Sequence, residues 1–161
     1  MKELILLRHA KSSWELNVED RHRPLTEKGM LRIKRMAQHN PEIFSDLDAI
    51  YSSPANRANH TSSIAIHSLQ LPFEKLALTE SLYTFEASQV IHFVKNLSND
   101  LKRVMCVGHN PAFTQAVVYF SGKDFDHLPT AAWAHLKFKE TKWSSVQEGT
   151  LTLGLPKKIL K

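Results

Sequence analysis

At 161 residues, 42% of them hydrophobic and 23% charged, the chain has the make-up of a single globular domain, 1–161, able to bury a sizeable core. Its one cysteine, Cys106, excludes an intramolecular disulfide and a thiolate metal cluster and fits a reducing, cytoplasmic setting; no run approaches the roughly 20 apolar residues of a membrane helix, and Glu3 interrupts the basic start of a secretory leader. The net charge of +5 permits an acidic partner, but the basic groups Arg32, Lys34, Arg35 and Lys157, Lys158, Lys161 have no interleaved aromatics, so neither nucleic acid nor a membrane is the expected partner.

In chain order, Leu4–Leu7 is an apolar run of the kind that fills a buried strand, and Arg8 and His9 follow it without a spacer. A guanidinium is costly to bury alone, so this strand end either stops outside the core or meets an anion. A first helix is expected from about Thr26 to Gln38, with Glu27 in its first turn. Leu47–Tyr51 reads as the second strand, and a helix follows Pro54 to about Leu69, with Pro54 suited to an early helical position. Leu76–Leu78 is a third strand and Ala87–Leu97 a third helix. Val104–Val107 is a fourth strand, and its helix starts at Pro111 and ends before Gly122. Ala134–Phe138 and Leu151–Leu155 complete the strands. Strands alternating with helices predict an α/β sheet, mostly parallel, with helices on both faces.

Ligands of such sheets bind beyond the carboxyl ends of the strands. Three predicted strands end there in polar loops: Arg8-His9, Ser52-Ser53-Pro54-Ala55-Asn56-Arg57, and Gly108-His109-Asn110-Pro111. Two arginines and two histidines, with no carboxylate beside them, would make a strongly positive pocket. Such a pocket suits a phosphoryl group, which carries about −1.5 to −2 charges near neutral pH. The arginine fork matches phosphate oxygens, and a neutral imidazole is a competent nucleophile toward phosphorus. No metal-binding motif is visible, so the expected site is metal-independent and needs no cofactor.

LLRHAKSSW, DRHRPLTEKG, YSSPANRANHT and VGHNP, in that order, resemble the histidine phosphatase superfamily. The RHAKSSW and RPLT wording is most similar to its SixA-like phosphohistidine phosphatases; beyond Pro111 only Leu128-Pro129-Thr130-Ala131 continues the likeness. The resemblance implies a three-layer α/β/α sandwich of the phosphoglycerate mutase type. It implies His9 as the nucleophile that becomes phosphorylated, and Arg8, Arg23, Arg57 and His109 as phosphate-binding groups. Ala10 stands where many superfamily members carry Gly.

The resemblance also implies a substrate: phosphohistidine on a protein such as a phosphotransfer domain, hence a role in signal transduction. Mutase-like members supply a carboxylate acid after the third strand, where this chain has Glu80. SixA-like members are thought to act without one, since an imidazole leaves phosphorus more readily than an alkoxide does. The short gaps between motifs leave no loop long enough for a substantial lid, which favours a protein-borne substrate. Three other readings stand beside this one. A phosphomonoesterase on small metabolites would need Glu80 or another acid, a mutase would need a closed site, and a phosphate-binding module would lack turnover.

The other candidates read as structural. Trp14 is expected to pack beneath the His9 loop, the alternative being contact with substrate; Thr61 is expected to brace the Arg57 loop, and Cys106 to be a small core residue. His22 is placed at the rim of the site. His60 and His67 share a helix face but lack a third ligand.

Overall fold

The computed structural model describes residues 1–161. Six strands form one sheet: β1 (Lys2–Arg8), β2 (Ala49–Ser52), β3 (Leu76–Leu78), β4 (Arg103–Gly108), β5 (Trp133–Phe138) and β6 (Thr150–Gly154), in the spatial order β3-β2-β4-β1-β5-β6. β3, β2, β4 and β1 pair in parallel, whereas β5 runs antiparallel to both β1 and β6. The mostly parallel sheet expected from the sequence therefore has one reversed strand, β5.

The four main helices are α1 (Glu27–His39), α3 (Asn56–Ser68), α4 (Ala87–Lys95) and α5 (Ala112–Ser121); two short ones, α2 (Pro41–Phe44) and α6 (Pro156–Ile159), were not legible as elements. Thr26 caps α1, its hydroxyl accepting from the Gly29 N–H at 2.9 Å. Pro54 lies before α3 and Ala55 is the cap, so the proline shapes the turn into the helix and is not part of its first turn. Gly29 lets α1 approach the loop after β1: a Cβ there would lie 2.3 Å from the Lys11 carbonyl oxygen.

Alternation along the central strands divides the core into two. Leu4 and Leu6 of β1 face Phe113, Val117 and Phe120 of α5 and Val90 and Val94 of α4. Ile5 and Leu7 face Ile33 and Met36 of α1 and Ala58, Ala65 and Ile66 of α3. The result is helices on both faces of the sheet. All four β1 side chains are fully buried, each stabilising the fold by about 2 kcal/mol at most. β1 and β4 are neighbours at the centre, in a register that sets Arg8 opposite Gly108. Their carboxyl ends are thus fixed side by side by the core beneath them, and His9 and His109 begin the loops that follow. No helix is long and apolar enough to cross a membrane.

Candidate active site

His9, just past the end of β1, is only 7% exposed. Its backbone N–H donates to Gly108 at 3.1 Å, and its Nδ1 lies 2.7 Å from the Ala10 carbonyl oxygen. A carbonyl only accepts, so Nδ1 carries the proton and the lone pair sits on Nε2. Burial, with smaller contributions from the charges of Arg57, Arg8 and Arg23, lowers the imidazole pKa to about 4, against an opposing pull from the Ala10 bond. The ring is held neutral and in one tautomer, the state a nucleophilic histidine needs.

Three arginines converge on the same pocket, a cavity of about 340 Å³ lined by Arg8, His9, Arg23, Arg57, His109 and neighbouring polar residues. Arg8 donates through Nη1 to the Leu128 carbonyl at 3.0 Å. Arg23 donates through Nη2 to Ser12 Oγ at 3.0 Å, and its guanidinium carbon lies 3.4 Å from the centre of the Trp14 ring. Arg57, on the first turn of α3, is only 2% exposed and donates to the Asp20 backbone carbonyl and carboxylate at 2.7 and 3.0 Å. Desolvation lowers the pKa of both Arg8 and Arg23, in Arg23 reinforced by the Arg57 charge.

His109 follows β4 directly, where Gly108 lets the chain pass the Phe113 ring; a Cβ at Gly108 would lie 2.7 Å from it. The His9 and His109 ring centres are 5.2 Å apart. His109 Nε2 lies 2.8 Å from Ser53 Oγ, which also accepts from the Ala55 N–H, so the hydroxyl proton is free to point at Nε2. That leaves the ring proton on Nδ1, which has no partner in the protein. Burial first, and then the like charges of His9 and Arg57, lower this imidazole to about 3.

Five buried side-chain nitrogens lack a hydrogen-bond partner: Arg8 Nε, Arg23 Nε and Nη1, Arg57 Nε and His109 Nδ1. All five belong to this cluster. Buried donors are nearly always satisfied, and leaving one unpaired costs about 1–3 kcal/mol. Donors concentrated in this way around a neutral imidazole are a receptor for an anion with several oxygens.

The site contains a carboxylate that sequence reading missed. Asp20, in a 3-10 turn over Asp20–His22, accepts from Arg57 and from the Tyr83 hydroxyl at 2.6 Å, and lies 3.5 Å from Arg23 Nε. Partial burial would raise its pKa, but the hydrogen bonds from Tyr83 and Arg57 and the charges of Arg57 and Arg23 more than offset this, leaving it below the usual range. The expectation of a pocket free of carboxylates is corrected accordingly. A local signal existed: residues three apart in a 3-10 turn share a side, and Asp20 is three before Arg23.

Glu80 is not at the pocket. Its carboxylate forms a bidentate pair with Arg21 at 2.8 and 2.7 Å, which holds its pKa below the usual range, and it is exposed. Trp14 is not packed under the loop either: it is 78% exposed, beside Arg23. Thr61 contacts Arg57, as the sequence suggested, and braces the His9 loop as well. Its hydroxyl donates to the Arg57 carbonyl, one turn back along α3, and accepts from the Ala10 N–H at 3.0 Å. Leu128–Ala131, the faint end of the motif series, holds Arg8 through the Leu128 carbonyl. The Ala131 N–H donates to the Arg8 and His9 carbonyls, both at 3.2 Å, from a left-handed backbone with φ 61°. Cys106 is fully buried in β4, and burial pushes its thiol up to about 12.

His60 and His67 line a surface groove with Lys34 and Gln38, and no group of three or more His, Cys, Asp or Glu residues is arranged to hold a metal. A larger groove, about 590 Å³, runs along α4 and contains none of the cluster residues. Chemistry, not size, identifies the site.

Residues 4–82 match the family model of the histidine phosphatase superfamily, branch 1. An uncharacterized chloroplastic protein of Arabidopsis thaliana is 31% identical over 138 residues, covering 75% of this chain; the chain spans 60% of that relative's length. Among solved structures, the protein histidine phosphatase SixA complexed with tungstate superposes at a TM-score of 0.83, with 22% identity and 99% of both chains covered. The alpha-ribazole phosphatase from Shigella flexneri superposes at 0.70, with 15% identity over 95% of each chain. A mycobacterial glucosyl-3-phosphoglycerate phosphatase superposes at 0.68, with 13% identity over 96% of this chain and 98% of its own. These likenesses establish a shared phosphoglycerate mutase-like fold. With the four ordered motifs and the match over residues 4–82, the chain belongs to the histidine phosphatase superfamily.

Proposed function

We propose that the protein is a phosphohistidine phosphatase acting on histidine-phosphorylated proteins of a signalling relay in the cytoplasm, through a covalent phosphohistidine at His9. In the first step the Nε2 lone pair attacks phosphorus and the P–N bond to the substrate ring breaks. That ring departs as neutral imidazole, taking the bonding electrons and retaining the proton on its other nitrogen, so no protein acid has to supply one. Water then attacks phosphorus on phospho-His9 and passes its proton to the departing phosphate. The electron pair of the Nε2–P bond returns to the ring, whose proton stays on Nδ1, donated to the Ala10 carbonyl throughout. Arg8, Arg23 and Arg57 and the His109 Nδ1–H stabilise the equatorial oxygens as they gain charge, the task that Mg²⁺ performs in many phosphoryl transfers.

The observation carrying this reading is the set of five unpaired buried nitrogens around a neutral, single-tautomer His9. The P–N preference rests on the absence of a placed proton donor. An ester leaves as an alkoxide and needs one, whereas Glu80 is engaged by Arg21 and Asp20 is ionised against Arg57. The similarity to a protein histidine phosphatase over the full chain supports the same choice. The test is phosphate release in EDTA from a histidine-phosphorylated phosphotransfer domain and from a phosphoserine peptide. Release from the first at a rate at least a hundredfold higher is expected. Comparable release from both would turn the reading toward a phosphomonoesterase, and loss of activity in EDTA would contradict the metal-independent mechanism.

A further inference from the structure

We propose that the segment Trp14–Glu19, with Phe85 across the pocket mouth, is a docking strip for the protein that carries the phosphoryl group. The proposal rests on the phosphatase reading above and specifies how its macromolecular substrate is recognised. The segment reads Trp-Glu-Leu-Asn-Val-Glu, apolar and polar in strict alternation, which is the pattern of a strand with one covered face. Yet it belongs to no strand, and all six residues are exposed. Trp14 is 78% exposed, Leu16 56% and Val18 44%. Neither Leu16 nor Val18 joins either hydrophobic cluster of the core. A stretch outside the sheet that exposes three large apolar side chains, only Trp14 being touched on one face by Arg23, is a surface awaiting a partner.

Its position says which partner. The strip is bracketed by pocket residues, since Trp14 and Asp20 both line the cavity that holds His9. Phe85, half exposed on the loop after β3, lines the same cavity, and its ring centre lies 5.9 Å from that of His109. The strip therefore meets the phosphoryl pocket at Trp14, with Phe85 on the same pocket, and a surface that covers the strip can present a phosphoryl group to His9. Because His9 is nearly buried, that group must project on a side chain from the covering surface. A small phosphorylated metabolite seated in a cavity of about 340 Å³ would leave Leu16 and Val18 uncovered. A folded protein whose phosphorylated side chain rises from an apolar patch covers both. Aromatic and aliphatic anchors of this kind dominate binding energy at protein interfaces.

The test uses Leu16→Ser/Val18→Ser, which leaves charge and pocket residues unchanged. Wild type and variant are assayed in EDTA with a histidine-phosphorylated phosphotransfer domain and with phosphoramidate, a small P–N substrate. The expected result is at least a tenfold fall in kcat/KM on the protein, a change within twofold on phosphoramidate, and an unchanged melting temperature. Unchanged hydrolysis of the protein overturns the proposal. An equal fall on both substrates also overturns it, because the strip would then be a lid over the pocket. So does a wild-type dimer in sedimentation that the variant dissolves, since the occupant would be a second copy. If wild type hydrolyses neither substrate, the phosphatase reading falls and takes docking with it; if it hydrolyses both and the variant behaves as wild type, docking alone falls.

Discussion

The sheet carries an arginine–histidine cluster toward each end of β1 and β4, and the two differ in one respect. At the amino end, Arg103 donates to Glu3 at 2.8 Å and to the carbonyls of Ser45, Glu42 and Ile43, while His135 Nε2 lies 2.9 Å from the same Glu3 carboxylate. None of its buried nitrogens lacks a partner. At the carboxyl end, Arg8, Arg23, Arg57 and His109 leave five buried nitrogens without one. Residue type does not separate a structural cluster from a chemical one; the accounting of partners does. The amino-end cluster spends its donors on its own chain and ties β1, β4 and β5 together. The carboxyl-end cluster holds donors in reserve for an anion, at a cost in stability borne by the core beneath it.

The largest effect that would test this contrast is at His9. His9→Ala should lower phosphate release from the phosphorylated domain by at least about 1000-fold, with thermal melting showing a folded protein. Substantial remaining turnover would place the nucleophile elsewhere. Next are paired substitutions at the two ends. Arg57→Ala should cost about 100-fold or more in kcat/KM. Arg103→Ala should leave kcat/KM within twofold but destabilise the fold by about 2 kcal/mol in urea unfolding, since it strands Glu3 and three carbonyls. If Arg103→Ala abolished activity while Arg57→Ala spared it, the contrast would be reversed.

Asp20→Asn sharpens the account inside the pocket. It should lower kcat/KM about tenfold by loosening the Arg57 and Tyr83 contacts, whereas Glu80→Gln should change kcat less than threefold. A large kcat loss in Glu80→Gln would restore Glu80 as a proton donor. The smallest effect concerns pH. His9 and His109 have folded pKa values of about 4 and about 3, below the 6.5 of the unfolded chain. The unfolded state therefore binds more protons in this interval, and stability falls as pH drops below about 6.5. Each histidine should contribute roughly 1–2 kcal/mol to the loss between pH 7.5 and 5. His109→Gln should remove its share, measured as a flatter pH dependence of the urea midpoint.

Much of this was legible from local pattern. Apolar runs located all six strands, and polar loops at three strand ends pointed Arg8, His9, Arg57 and His109 to one edge of the sheet, where all four line one pocket. What was missed depends on contacts between distant residues. Asp20 joins the site through partners 37 and 63 residues away, and Arg21 engages Glu80 across 59. No periodicity encodes such pairings. The reversal of β5 and the short helices α2 and α6 are set by how neighbouring segments pack, and four-residue helices carry too few turns to show a period. The exposure of Trp14 was hidden because an aromatic residue near a nucleophile loop reads as core until its surroundings are known.

The most direct measurement is to trap the intermediate. Wild-type protein is mixed in EDTA with a phosphotransfer domain carrying labelled phosphate on histidine, quenched in alkali, digested and mapped by mass spectrometry. The account predicts phosphate on the His9 ring, stable in alkali and lost in acid, and absent from His9→Ala. Rapid turnover with no label on His9, or label on another residue, would contradict it.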